Sequence, residues 1–196
     1  MSSGYVMLID LEICSGCHAC SVSCKAEHLA PLGNFRHKVQ TIEQGLFPRT
    51  ARAFVPTLCQ HCTDAPCLQS CGVGAIQRTE EGVVIIDSET CIGSGTCVEA
   101  CPYGAIFMDP MINQAVKCDF CLDRVKAGEQ PACVTTCPTD AIVFGREDDP
   151  GVIAQQNSGR YTRWNPDETK PRVWYKGLKS EWERHLGRIN PIEEGE

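Results

Sequence analysis

Three things are scarce in this sequence: positive charge, long apolar runs and recognisable catalytic constellations. Lys and Arg number 18 against 25 Asp and Glu, which leaves a net charge of −7. Phosphate neutralisation needs a clustered positive face, so nucleic acid is not an expected partner and the negative balance reads as simple solubility. No stretch approaches the roughly 20 apolar residues of a membrane-spanning helix, so no direct membrane span is expected. Met1 to Glu12 has no basic start, no long apolar stretch and no small-residue cleavage site, which argues against a secretory signal. No Ser/His/Asp set, phosphate loop or dinucleotide fingerprint is visible. No catalytic residue is therefore expected, and no substrate chemistry of the chain's own.

Cysteine is what the sequence has in excess. Fifteen cysteines occur in 196 residues, and hydrophobic residues make up an ordinary 42%. A length of this order suits one large domain or two small ones. A secreted disulfide scaffold is usually shorter and has an even cysteine count. The odd count here argues against it. The cysteines fall into four groups: Cys14, Cys17, Cys20 and Cys24; Cys59, Cys62, Cys67 and Cys71; Cys91, Cys97 and Cys101; Cys118, Cys121, Cys133 and Cys137. Ser94 stands where a further cysteine would fit the third group. Three of the groups are followed by similar stretches, GVGAI after Cys71, PYGAI after Cys101 and PTDAI after Cys137, which implies a repeated local unit.

The apolar run Tyr5 to Asp10 reads as a strand leading into the first group. Residues 75–87 read as a hairpin turning at Gly82, and residues 105–117 as a second hairpin turning at Asp109–Pro110. Ile142 to Phe144 reads as a short strand. Short helices are expected beside the third cysteine of each group, as around Val98 to Ala100, with a longer turn over Leu122 to Lys126. Pro31 to Pro56 has no cysteine and reads as an insertion. From Arg146 onward the composition turns polar, charged and aromatic, with Trp164, Trp174, Tyr175 and Trp182. This tail is expected to be irregular and to wrap over a surface without forming a core. Deletion after Gly159 is then expected to leave the cysteine sites intact.

Group one has the spacing C-x2-C-x2-C-x3-C, and group three has the same spacing apart from Ser94. Groups two and four widen the second gap and keep the x2 start and the x3 end. Two-residue gaps let three thiolates from one tight loop face one iron–sulfur cube, and the fourth corner must come from elsewhere. Zinc is the usual alternative for a lone C-x2-C, but its structural sites use two ligand pairs, which these x3-terminated groups do not suit. His61, between Gln60 and Cys62, is a candidate for tuning a cluster. Pro66, Pro102 and Pro138 are expected to shape the loops.

The cysteine groups, the LCQHCTDAPC stretch at Leu58 to Cys67 and CPYGAI at Cys101 to Ile106 resemble the four-cluster ferredoxin-like electron-transfer subunits of the DMSO-reductase family of molybdenum enzymes. These include the polysulfide, thiosulfate, tetrathionate and DMSO reductases. The resemblance covers about Tyr5 to Phe144. It implies an α+β fold of two pseudo-symmetric bicluster modules, residues 1–30 plus 111–145 and residues 57–110, with 31–56 inserted and 146–196 facing a partner. It further implies that group one exchanges ligands with group four, and group two with group three. One cluster then takes Cys14, Cys17, Cys20 and Cys137, and a second takes Cys118, Cys121, Cys133 and Cys24. A third takes Cys59, Cys62, Cys67 and Cys101, and the last takes Cys91, Cys97 and Cys71 with Ser94 at the vacant corner. A neutral serine hydroxyl is a poor, hard ligand for this site. The implied content is three 4Fe–4S clusters and one 3Fe–4S cluster, with four 4Fe–4S clusters as the alternative.

The implied partners are a large molybdopterin catalytic subunit and a membrane quinol-handling subunit. The implied place is a membrane-associated complex, at the periplasmic face by co-export, or else the cytoplasm. An iron–sulfur subunit of a hydrogenase or formate-oxidising complex is a second reading, and a zinc interaction module is a third.

Overall fold

The computed structural model describes residues 3–164 and 169–190. In chain order the elements are β1 (Tyr5–Asp10), α1 (Ala19–His28), β2 (His37–Leu46), β3 (Arg49–Leu58), α2 (Pro66–Gln69), β4 (Ile76–Arg78) and β5 (Val84–Ile86). Then come α3 (Thr96–Ala100), β6 (Ile106–Asp109), β7 (Gln114–Lys117), α4 (Leu122–Lys126), α5 (Ala132–Thr135) and β8 (Ile142–Arg146). The last are α6 (Pro150–Asn157), β9 (Tyr161–Arg163), β10 (Val173–Lys176) and α7 (Ser180–Glu183). The architecture is α+β, with small sheets and short helices.

The largest sheet has the order β8-β1-β10-β9. Strand β1 pairs antiparallel with β8 (Leu8↔Val143) and parallel with β10 (Ile9↔Tyr175). A central strand has both faces covered, which is why its sequence is a continuous apolar run. Side chains alternate across it. Met7 and Ile9 enter the main core with Ile142, Val173 and Tyr175, whereas Val6 and Leu8 pack on the other face against Val152 of α6. Asp149 caps α6 by accepting from the Gly151 N–H at 2.7 Å, and Pro150 occupies its first turn, as helix starts favour.

The tail is therefore not irregular. Val173, Tyr175 and Ile189 are fully buried, and Trp164 and Leu178 join the same core. The expectation failed because β10 contributes only four residues, VWYK, whose alternation is too short to stand out beside charged neighbours. Residues 165–168 and 191–196 of the expected tail lie outside the described residues.

The cysteine-free insertion is a ten-rung antiparallel hairpin of β2 and β3, from His37↔Leu58 to Leu46↔Arg49. Its base contributes Val39, Ile42, Ala53, Val55 and Leu58 to the main core, and its tip leaves Leu46 and Phe47 in solvent. It extends two residues beyond Pro56. The hairpin also explains Gly16, in the first cysteine loop: Phe54 packs there so closely that a Cβ would stand 2.4 Å from its ring, and the backbone has φ +69°.

The two expected hairpins form as β4–β5 and β6–β7. The second pairs Ile106 with Lys117 and so spans the expected module boundary between 110 and 111. A boundary there would cut a hairpin.

Candidate metal centre

The x3 spacing that ends each cysteine group is one helical turn. In α1, Cys20 and Cys24 lie four residues apart on one buried face. They nevertheless serve different neighbourhoods. Burial raises the Cys20 thiol to about 11, and nearby Cys14 and Cys137 add to it. Burial raises Cys24 to about 12, with Cys121 the next contributor. Cys14, Cys17, Cys20 and Cys137 line one cavity, together with Pro138 and with Pro56 and Val39 of the inserted hairpin. Cys118 and Cys133 are pushed well up by burial, and both feel Cys24 most among the cysteines. These form a second set with Cys121.

The same arrangement recurs around α2 and α3. Pro66 starts α2, and Cys67 follows it. Cys59, Cys62, Cys67 and Cys101 line a second cavity, with Pro66, Pro102, Tyr103 and Val84. Burial raises Cys62 and Cys67 to about 12, and Cys59 adds most to both among the other thiols. The fourth set is smaller. Cys97 is raised by burial and has Cys91 and Cys71 as its charged neighbours.

The sets adjoin in a row. Cys133 feels Cys20 of the first set, Cys118 feels Cys59 of the third, and α2 packs on α3 between the third and the fourth.

Ser94 lies in the loop of the fourth set. It is exposed, and its hydroxyl stands 3.3 Å from that of Thr96. Cys17, at the matching position of the first group, is exposed as well.

The loops between the cysteines adopt left-handed backbone at residues other than glycine: His18 (φ 62°), His61 (φ 45°), Phe120 (φ 60°) and Cys121 (φ 51°). Each such residue costs on the order of 1–3 kcal/mol and persists only where its surroundings over-determine it.

All fifteen cysteines are free thiols. Burial makes those deepest in the cavities, such as Cys62, Cys67, Cys118 and Cys133, resist ionisation unless a cationic centre balances them, whereas backbone N–H groups lower Cys17 and Cys71; thiolates suit iron–sulfur clusters. Two buried donors also await an acceptor. The Val84 N–H donates to His61 Nδ1 at 3.1 Å, and burial, reinforced by the charge of Lys117, keeps the ring neutral, so its proton is on Nε2. That Nε2 and the Ser21 hydroxyl, beside Cys20, have no partner among the described residues. A cluster's sulfur would suit donors of this kind, and the thiol-lined cavities fit the group.

Sequence reasoning missed several residues at the centre. Phe120 stacks on His61 with ring centroids 3.7 Å apart. His28 places Nε2 3.2 Å from Cys121 Sγ and lies near Asp119, which pairs with Arg36 at 3.1 Å. Lys117, directly before Cys118, is buried. A lysine at the inward-facing end of the strand QAVK was the only signal for the last. The aromatic tail lends Tyr175, whose hydroxyl accepts from Gln60 Nε2 at 3.1 Å. Gln60 in turn lines the cavity of the third set.

Comparison with known proteins agrees with this geometry. Residues 50–147, holding cysteine groups two to four, match the 4Fe–4S dicluster domain family. The thiosulfate reductase electron transfer subunit PhsB of Salmonella typhi is 45% identical over 152 residues, covering 76% of this sequence and 79% of its own. A subunit of the tetrathionate reductase of Salmonella typhimurium is 37% identical over 195 residues, covering 95% and 78%. A polypeptide of the polysulfide reductase of Wolinella succinogenes is 37% identical over 180 residues, covering 89% and 94%. With its thiol sets and its matched cysteine groups, this protein belongs to the ferredoxin-like iron–sulfur electron-transfer subunits of the thiosulfate, tetrathionate and polysulfide reductase type, built on the 4Fe–4S dicluster domain.

Proposed function

We propose that the protein relays single electrons through four iron–sulfur clusters held in a row, and catalyses no net reaction by itself. The observation that carries this is the convergence of thiols from distant segments into four adjoining sets. When bound, the clusters supply one-electron reduction and reoxidation. The protein's residues hold them, exclude water and set their potentials.

The proposed ligands are Cys14, Cys17, Cys20 and Cys137 for the first cluster, and Cys24, Cys118, Cys121 and Cys133 for the second. They are Cys59, Cys62, Cys67 and Cys101 for the third, and Cys71, Cys91 and Cys97 for the fourth. The open corner at Ser94 supports a 3Fe–4S cluster there, at one end of the row. The two modules are then residues 1–30 with 118–145, and residues 57–117, with the boundary after the β6–β7 hairpin.

The relatives' names support a catalytic partner subunit, and we infer that it carries a molybdopterin centre. We infer a membrane quinol-handling subunit at the other end and a place at the periplasmic face, reached by co-export. No helix among the described residues is long and apolar enough to cross a membrane, so attachment would run through partners.

The test is iron and acid-labile sulfide analysis of the anaerobically purified complex. About 15 iron atoms per chain are expected, from three four-iron clusters and one three-iron cluster. Stoichiometric zinc with negligible sulfide would overturn the reading.

A further inference from the structure

A buried charge lies at the seam between the second and third thiol sets. Lys117 ends β7 next to Cys118 and is 4% exposed. Its ammonium donates to the Val84 carbonyl and, at 2.9 Å, to the Cys118 carbonyl. Val84 lines the cavity of the third set, and the lysine's charge acts on Cys67 of that set, whereas Cys118 belongs to the second. The Val84 peptide is held from both sides, since its N–H donates to His61 and its carbonyl accepts from Lys117. His61 in turn stacks on Phe120, which lies between Cys118 and Cys121. The lysine is thus fixed against both sets at once. Burying an ammonium is unfavourable unless its hydrogens are satisfied. Both of these hydrogen bonds go to neutral carbonyl oxygens, which take up two of its N–H donors and leave the charge uncancelled.

We propose that Lys117 sets the potentials of the two central clusters, its buried positive charge stabilising the reduced state on either side of it. The inference rests on the four-cluster reading. In the step between these clusters one electron leaves one side of Lys117 and arrives on the other. The step moves an electron only. Coulomb attraction falls with distance, so the two flanking sites feel it strongly and the two outer ones much less. Lys117 acts through charge and touches no reacting atom.

The experiment is a redox titration of the complete complex, followed by electron paramagnetic resonance, for the wild type, Lys117→Met and Lys117→Arg. Iron and sulfide are measured on the same samples. Lys117→Met is expected to lower two of the four midpoint potentials and leave the other two in place. Lys117→Arg, which keeps the charge, is expected to hold all four near the wild type. A fully loaded Lys117→Met complex with four unchanged potentials, or with all four lowered alike, overturns the proposal. If that variant loses iron, Lys117→Gln, which keeps a donor for the Val84 carbonyl, is read by the same criteria. A wild-type complex without four clusters per chain would instead defeat the relay reading itself, and the iron analysis separates the two failures.

Discussion

Ser94 and Cys17 occupy matching positions in two cysteine groups, and both face solvent. At such a corner the ligand's chemistry decides the outcome, because no packing constrains it. A thiolate at position 94 is soft and anionic, as the fourth iron requires, and a serine hydroxyl is neither. Ser94→Cys is therefore expected to convert the fourth cluster to the four-iron form and to lower its potential. The oxidised wild type should show the paramagnetic resonance signal of a three-iron cluster, and the variant should lose it. A wild type without that signal at full iron content would show that serine or water completes a four-iron cluster. Deep in the core the opposite logic holds. Tyr175 is 0% exposed and its hydroxyl receives the Gln60 amide. Tyr175→Phe leaves that amide with the Leu58 carbonyl alone. A loss of about 1–2 kcal/mol is expected in thermal melts of the loaded protein, with unchanged iron content.

Among the elements, β10 and the β2–β3 hairpin differ most from their reading in the sequence. Strand β10 supplies one of the two neighbours of β1, and Val173, Tyr175, Leu178 and Ile189 follow it into the core. Each fully buried large side chain is worth roughly 1.5–3 kcal/mol, and a domain's whole stability is only about 5–15 kcal/mol. Truncation after Gly159 is accordingly expected to abolish folding and cluster content together, measured as soluble yield and iron per chain. A soluble, fully loaded truncated protein would show that the β1–β8 pair suffices. The hairpin tip should be indifferent by comparison. Phe47 is 93% exposed, so Phe47→Ser is expected to shift stability by less than about 0.5 kcal/mol in the same melts. A larger loss would reveal a contact for the tip within the protein.

At the scale of the whole molecule, the cysteine-bearing elements are too short to stand alone. Helices α2 and α5 have four residues each, and strands β4 and β5 have three. Isolated helices of this length do not form in water, and a lone two-stranded hairpin is marginal. Their order draws on what the thiols bind as well as on the apolar core, since binding energy at such a site is folding energy. Removal of the clusters by a chelator under reducing conditions is expected to abolish the cooperative melt and much of the circular dichroism. Retention of a cooperative transition by the iron-free protein would show that the apolar core alone carries the fold.

The sequence by itself determined the chemistry and the local frame. Cysteine spacing is a local property, and x2 and x3 gaps dictate loops and single helical turns wherever they occur. Apolar runs and turn residues are local as well, which is why strand β1 and the β4–β5 and β6–β7 hairpins were legible in it. Only the tertiary structure decided what acts across the molecule. It brought Cys137 to Cys14 and Cys24 to Cys118, seated β10 beside β1, and set the Lys117 ammonium on the Val84 carbonyl, within reach of Cys67. Such neighbours are far apart in sequence. Their approach is set by the burial of whole faces of β1 and α1, which no short stretch of residues encodes alone.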